Sequence, residues 1–147
     1  MTRRHDELQA VADEAAQAMW AGDRASQHLG MTIDEVGPGR AVLSMTVTET
    51  MVNGHGIAHG GYVFTLADSA FAFACNSHGP HAVAAQCQIS YLRPVRLGDR
   101  LVATAREIVQ AGRTGLCDVR VTRDGEVVAE FRGHSRQLPG SWVERAR

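Results

Sequence analysis

Residues 61–77, G-Y-V-F-T-L-A-D-S-A-F-A-F-A-C-N-S, constrain the fold most, because seventeen positions carry a single formal charge, Asp68, and show no strand-like alternation. The segment reads as a helix that is apolar almost all round. Such a helix must be covered on nearly every side by other parts of the chain. After residue 80 the sequence alternates apolar and polar residues four times. The inward sets are Val83, Ala85, Cys87, Ile89, Tyr91; Leu101, Ala103, Ala105; Cys117, Val119, Val121; and Val127, Ala129, Phe131. Period-2 alternation with turns between the runs predicts an antiparallel meander with one wet face. The turns are Leu97-Gly98-Asp99, Ala111-Gly112-Arg113 and Asp124-Gly125, the last a strong two-residue hairpin signal. Glu107 and Ile108 break the alternation and predict a bulge.

Residues 5–20 place Leu8, Val11, Ala12, Ala15 and Met19 at helical spacing, and a shorter helix over Arg24 to Leu29 ends at Gly30. Two strands follow, Met31 to Val36 and Arg40 to Glu49, joined by Gly37-Pro38-Gly39. The prediction is an α+β chain with an antiparallel sheet of five to six strands wrapped around one long central helix. Its divisions are an N-terminal helical segment (1–30), the main domain (31–138) and a C-terminal tail (139–147).

All 15 basic residues are arginine. Without lysine there is no Schiff base, pyridoxal-phosphate lysine or Walker-A lysine. A net charge of −1 lacks the positive field with which nucleic-acid binders displace counterions, so no nucleic acid is expected as a partner. No run approaches a membrane span, and the charged opening M-T-R-R-H-D-E-L-Q has no following apolar stretch of a secretory signal. Cys75, Cys87 and Cys117 are odd in number and widely spaced, which argues against a disulfide framework or structural zinc and for a reducing cytoplasm.

The segment Asn53-Gly54-His55-Gly56-Ile57-Ala58-His59-Gly60-Gly61 leads directly into the apolar helix. Glycines let a ligand approach the backbone, and a helix N-terminus offers unpaired N–H donors with partial positive charge. The combination suits an anion or oxyanion. Taken alone, a glycine-rich loop reads rather as one whose glycines solve a steric problem. Asp68 shifts the balance: a carboxylate inside an apolar helix is costly unless paired, wet or functional, and no arginine lies within one helical turn of it. If Gly60 and Asp68 share a helix, their eight-residue separation spans about 12 Å. One carbonyl cannot touch both, so a shared substrate requires the carboxylate of a second, antiparallel copy, as in a two-fold dimer.

Other constellations fail. His55 and His59 lack the glutamate of H-E-x-x-H, so no metal is expected, and neither G-x-S-x-G nor G-x-G-x-x-G occurs. Cys75 reads as a small core residue rather than a nucleophile. His59, just before the glycine pair, either holds a substrate carbonyl or fixes the loop, and His78, His81 and His134 receive no role.

The stretch from Met45 to Arg136 resembles the hot-dog-fold thioesterases of phenylacetic acid degradation. The likeness rests on M-V-N-G-H-G-I-A-H-G-G-Y-V-F-T-L-A-D-S-A-F-A-F-A-C-N-S, on I-S-Y-L-R-P and on F-R-G-H-S-R. The resemblance implies an acyl-coenzyme A thioester hydrolase acting on (hydroxy)phenylacetyl-coenzyme A or a related aryl or acyl thioester. It also implies no separate cofactor, a homodimer with a shared active site, and dimers paired into tetramers. By the same resemblance Asp68 is the catalytic acid, as nucleophile or general base. Gly60, with Gly61 beside it, presents backbone N–H to the thioester oxygen, and His59 and Asn53 orient loop and substrate. Gly22 stands where relatives carry an asparagine facing the acyl pocket. The same fold also hosts non-catalytic acyl-coenzyme A binders and dehydratases or hydratases, the two alternatives. With no lysine, arginine must meet the coenzyme A phosphates; Arg93 and Arg113 are the first candidates, with Arg96 and Arg120.

Overall fold

The computed structural model describes residues 2–144. Helices α1 (Thr2–Gly22) and α2 (Arg24–His28) precede strands β1 (Thr32–Gly37) and β2 (Arg40–Thr46). After a 3-10 turn at Glu49–Met51 come the long helix α3 (Gly60–Cys75) and strands β3 (Pro80–Tyr91), β4 (Arg100–Ala111), β5 (Thr114–Arg123) and β6 (Glu126–Ser141). The six strands form one antiparallel sheet in the order β1-β2-β4-β5-β6-β3, wrapped around α3.

Local chemistry places these elements. Asp23 caps α2 by accepting from the Ser26 N–H at 3.0 Å. Asp124 and Gly125, with φ of 49° and 79°, form the two-residue turn between β5 and β6, a conformation that glycine adopts without strain. At the predicted bulge, β4 steps from Glu107 opposite Cys117 to Val109 opposite Leu116, leaving Ile108 unpaired.

Leu66, Ala67, Ala70, Phe71, Phe73 and Ala74 of α3 are buried against Leu43, Met45, Leu101, Ala103, Ala105, Val119, Val121 and Phe131 of the sheet. The helix lies close because the sheet beneath it is lined with small side chains. Cys87, Gly133 and Cys117 sit opposite one another across β3, β6 and β5. A Cβ on Gly133 would lie 2.7 Å from the ring of Phe71, itself only 1% exposed. One turn before Phe71, this close approach brings Asp68 within 4.0 Å of the Cys87 thiol, which donates weakly to its Oδ1.

Several expectations are corrected. Strand β3 has one neighbour, β6, and its other edge is open; Val83 (47%) and Tyr91 (51%), predicted to face the core, are exposed, as is Ala85, while Cys87 and Ile89 are half-buried. A second bulge, where β6 opposes Thr122 with Val127 but Val121 with Ala129, buries Val128 and leaves Val127 half-exposed, so a strict alternation misplaces both. Strand β2 buries both of its faces, Val42 and Ser44 as well as Ala41, Leu43 and Met45, and Leu8 of α1 is exposed. Strand β6 continues through Pro139 to Ser141, where it pairs with Pro80, so the first part of the expected tail belongs to the sheet. Residues 145–147 lie outside the described part.

Candidate active site

The 53–61 segment is a tightly tied loop. Asn53 accepts on Oδ1 from the N–H groups of His55 (2.9 Å) and Ile57 (3.4 Å). Its own N–H donates to Ile57 O at 2.8 Å, and its carbonyl accepts from Gly56 at 3.0 Å. Gly56 turns the chain with φ of 76°. The Ala58 N–H donates to Val95 O and the His59 N–H to Met51 O, both at 2.7 Å. Asn53 thus ties the loop through its side chain and both of its backbone polar groups.

His59 caps α3: its Nδ1 accepts the Gly61 N–H at 2.9 Å. The Gly61 donor, expected to face substrate, is thus engaged inside the loop. The Gly60 N–H has no hydrogen-bond partner among the described residues. Gly60 also allows close packing, because a Cβ there would lie 2.9 Å from Tyr91 Cζ. Tyr91, missed as a site residue by the alternation reading, donates its hydroxyl to Gly60 O at 2.8 Å. The only sequence signal for it was its place immediately before Leu92-Arg93-Pro94.

A cleft of about 390 Å³ opens beside this turn, lined among others by Asn53, Gly60, Tyr91, Arg93 and Val95. Arg93 sits in it with its guanidinium on Val127 O and 3.6 Å from Glu126. Arg96 borders the loop through a backbone bridge to Ile57. Arg113 does not join them. It occupies the β4–β5 turn, next to the row Thr114–Arg136–Val83, whereas the cleft lies at the Tyr91 end of β3, about 26 Å along the strand. Arg120 is on the far face of the sheet in an ion pair with Glu130.

Asp68 does not line the cleft. It is part-buried, no ion pair holds it among the described residues, and desolvation raises its pKa above the ordinary carboxylate value of 3.8. Gly60 and Asp68 do share one helix, so their separation is about 12 Å along its axis.

Comparison with known proteins fits this geometry. Residues 55–130, from the loop through most of the sheet, match the family model described as the thioesterase superfamily. The chain belongs to the thioesterase superfamily. It is 46% identical over 127 residues to the acyl-coenzyme A thioesterase PaaI of Escherichia coli (strain K12), covering 86% of this chain and 91% of the relative. The structure of the E. coli PaaI protein from the phenylacetic acid degradation operon superposes with a TM-score of 0.89 at 44% identity, covering 91% of this chain and 98% of that one. A Streptococcus pneumoniae TIGR4 structure, described as a hypothetical thioesterase protein with coenzyme A, matches at a TM-score of 0.72 and 29% identity, over 76% and 90% of the two chains. The sheet wrapped round α3 is the hot-dog fold, and this thioesterase is an enzyme of that fold.

Proposed function

We propose that this thioesterase hydrolyses an acyl-coenzyme A, with a (hydroxy)phenylacetyl or related aryl or acyl group, to the free acid and coenzyme A. The observation that carries the reading is a division of labour along one helix. The unpartnered Gly60 N–H, at the positive end of α3, is suited to polarise the thioester carbonyl and hold the developing oxyanion. The part-buried Asp68 carboxylate, about 12 Å further on, supplies the base or nucleophile. The Asp68 carboxylate either attacks the carbonyl carbon, expelling the thiolate and leaving an anhydride that water cleaves, or takes a proton from water that attacks in its place. Both routes end in a carboxylic acid and a thiol, and neither needs a resident cofactor.

One substrate meets both groups only when two copies combine. The open edge of β3, twelve residues long and next to Asp68, is the surface on which a second copy would pair; natural sheets rarely leave such an edge bare. Antiparallel pairing there sets the two α3 helices side by side in opposite directions, bringing Gly60 of one toward Asp68 of the other. It also brings the Val83 end of one β3, and with it Arg113, to the Tyr91 end of the other. Arg93 and Arg113 would then flank one cleft as phosphate contacts, from two copies. Such dimers pair into tetramers in this reading. Three free cysteines accord with a reducing cytoplasm.

A panel of aryl-acetyl, benzoyl and aliphatic coenzyme A thioesters, followed by loss of thioester absorbance in parent and Asp68→Asn enzyme, tests the proposal. Turnover of at least one thioester that falls by about 10² or more in the variant, with little change in KM, supports it. Binding without turnover would make the chain a carrier of acyl-coenzyme A. With a 2-enoyl-coenzyme A added to the panel, loss of the enoyl chromophore without thiol release would make it a hydratase.

A further inference from the structure

The Gly60–Gly61 peptide is held at both of its polar ends. Its carbonyl accepts the Tyr91 hydroxyl at 2.8 Å, and its N–H donates to His59 Nδ1 at 2.9 Å. Tyr91 is also in van der Waals contact with the turn, since the space a Gly60 side chain would need is filled by the ring: Cζ, Oη and Cε1 lie 2.9, 3.0 and 3.2 Å from an ideal Cβ. The tyrosine is half-exposed, so hydrophobic burial does not fix it there. Its position is set by the strand: Tyr91 ends β3, and the next two N–H groups, of Leu92 and Arg93, both donate to Val128 O at 2.9 and 3.3 Å. Val128 is the extra residue of the β6 bulge, so the register shift that defeats simple alternation is also what anchors this tyrosine.

We infer that Tyr91 is a positioning residue for the oxyanion donor: with His59 it clamps the Gly60–Gly61 peptide, which leaves the preceding His59–Gly60 peptide aimed with its Gly60 N–H unpaired toward the cleft. This rests on the proposed role of Gly60 and extends it to a residue on another element. Preorganisation of this kind acts on the transition state rather than on ground-state binding, because a donor already aimed needs no reordering as charge develops. Only the peptide ahead of the clamp remains free to meet a new acceptor.

The test uses Tyr91→Phe, which keeps the ring and removes the hydroxyl, in the full-length enzyme. The expected result is a kcat lower by a factor on the order of 3 to 10 with KM within about twofold. Affinity for an S-alkyl coenzyme A thioether, which lacks the thioester carbonyl, stays at the parent value. Amide hydrogen exchange at Gly61, whose N–H is held by His59 Nδ1, becomes severalfold faster in the variant when read by NMR. Tyr91→Leu, which also removes the ring wall, raises KM in addition. Parent-like exchange at Gly61 overturns the clamp whatever the activity does. Parent-like kcat in Tyr91→Phe alongside a collapsed kcat in Asp68→Asn overturns the positioning role while leaving the proposed chemistry intact. If the parent hydrolyses no thioester, the chemistry fails and the exchange rates alone decide the clamp.

Discussion

Replacing Gly133 by alanine tests how closely α3 must lie against the sheet. The added Cβ meets Phe71 Cε2 and Cζ at 2.7 Å and Cε1 at 2.8 Å, all shorter than carbon atoms tolerate. Phe71 has no room to retreat: it is 1% exposed and packs on Phe131 with ring centroids 5.8 Å apart. Overpacking of this type costs about 1–3 kcal/mol. At roughly 2.1 cal/mol/K of unfolding entropy per residue, 147 residues give about 0.31 kcal/mol/K, so Tm should fall by about 3–10 °C. Thermal unfolding at fixed protein concentration reads this directly, because assembly makes Tm concentration-dependent. Phe71→Leu in the same background should recover part of the loss, since it vacates the colliding ring edge, although alone it destabilises. Because Asp68 sits one turn before Phe71, the kcat of Gly133→Ala should fall as well. A Tm within 1 °C of the parent, or no coupling between the two substitutions, would refute the close-packing argument.

Three further outcomes follow from the site. Burial raises the Asp68 pKa, so the folded chain holds this proton more tightly than the unfolded one, and stability falls as pH rises above 3.8. Asp68→Asn should therefore raise Tm at neutral pH, the gain vanishing at pH values below 3.8; a lower Tm at pH 7 would contradict it. In the proposed reaction the ionised Asp68 carboxylate is the active form, so kcat in the parent should fall with decreasing pH through a limb above 3.8, measured as a pH–rate profile. Arg93→Ala and Arg113→Ala should each raise KM for coenzyme A thioesters several-fold with little change in kcat and with a weaker salt dependence; an unchanged KM in both would remove them from substrate binding.

Much of the fold is legible in the residues. The uninterrupted apolarity of 61–77 demands a covered helix, Asp124-Gly125 specifies a tight hairpin, and the broken pattern at Glu107-Ile108 marks the bulge where the structure has it. The β6 bulge at Val128 is silent because Val127, Val128 and Ala129 are all apolar, so either register looks inward. Strand β3 is misjudged for a different reason. Its alternation is real, but whether an alternating face meets a core or an open edge depends on strand order, which no local pattern encodes. At the site, Asp68 and Gly60 stand out in the sequence because each is costly or unusual where it occurs. Two details depended on hydrogen bonds between elements distant in sequence or on side-chain orientation: His59 taking the Gly61 N–H, and Tyr91 reaching back 31 residues to Gly60.

Complementation between two inactive chains tests the shared site most directly. Asp68→Ala chains retain Gly60, and Gly60→Pro chains retain Asp68 but lack the N–H donor. Unfolded together and refolded at equal concentrations, they should form about half mixed dimers, each with one intact site out of two, and so recover about a quarter of the parent activity. Activity no higher than that of the separate variants, with mixed dimers demonstrably present, would contradict a site built from Gly60 of one copy and Asp68 of the other.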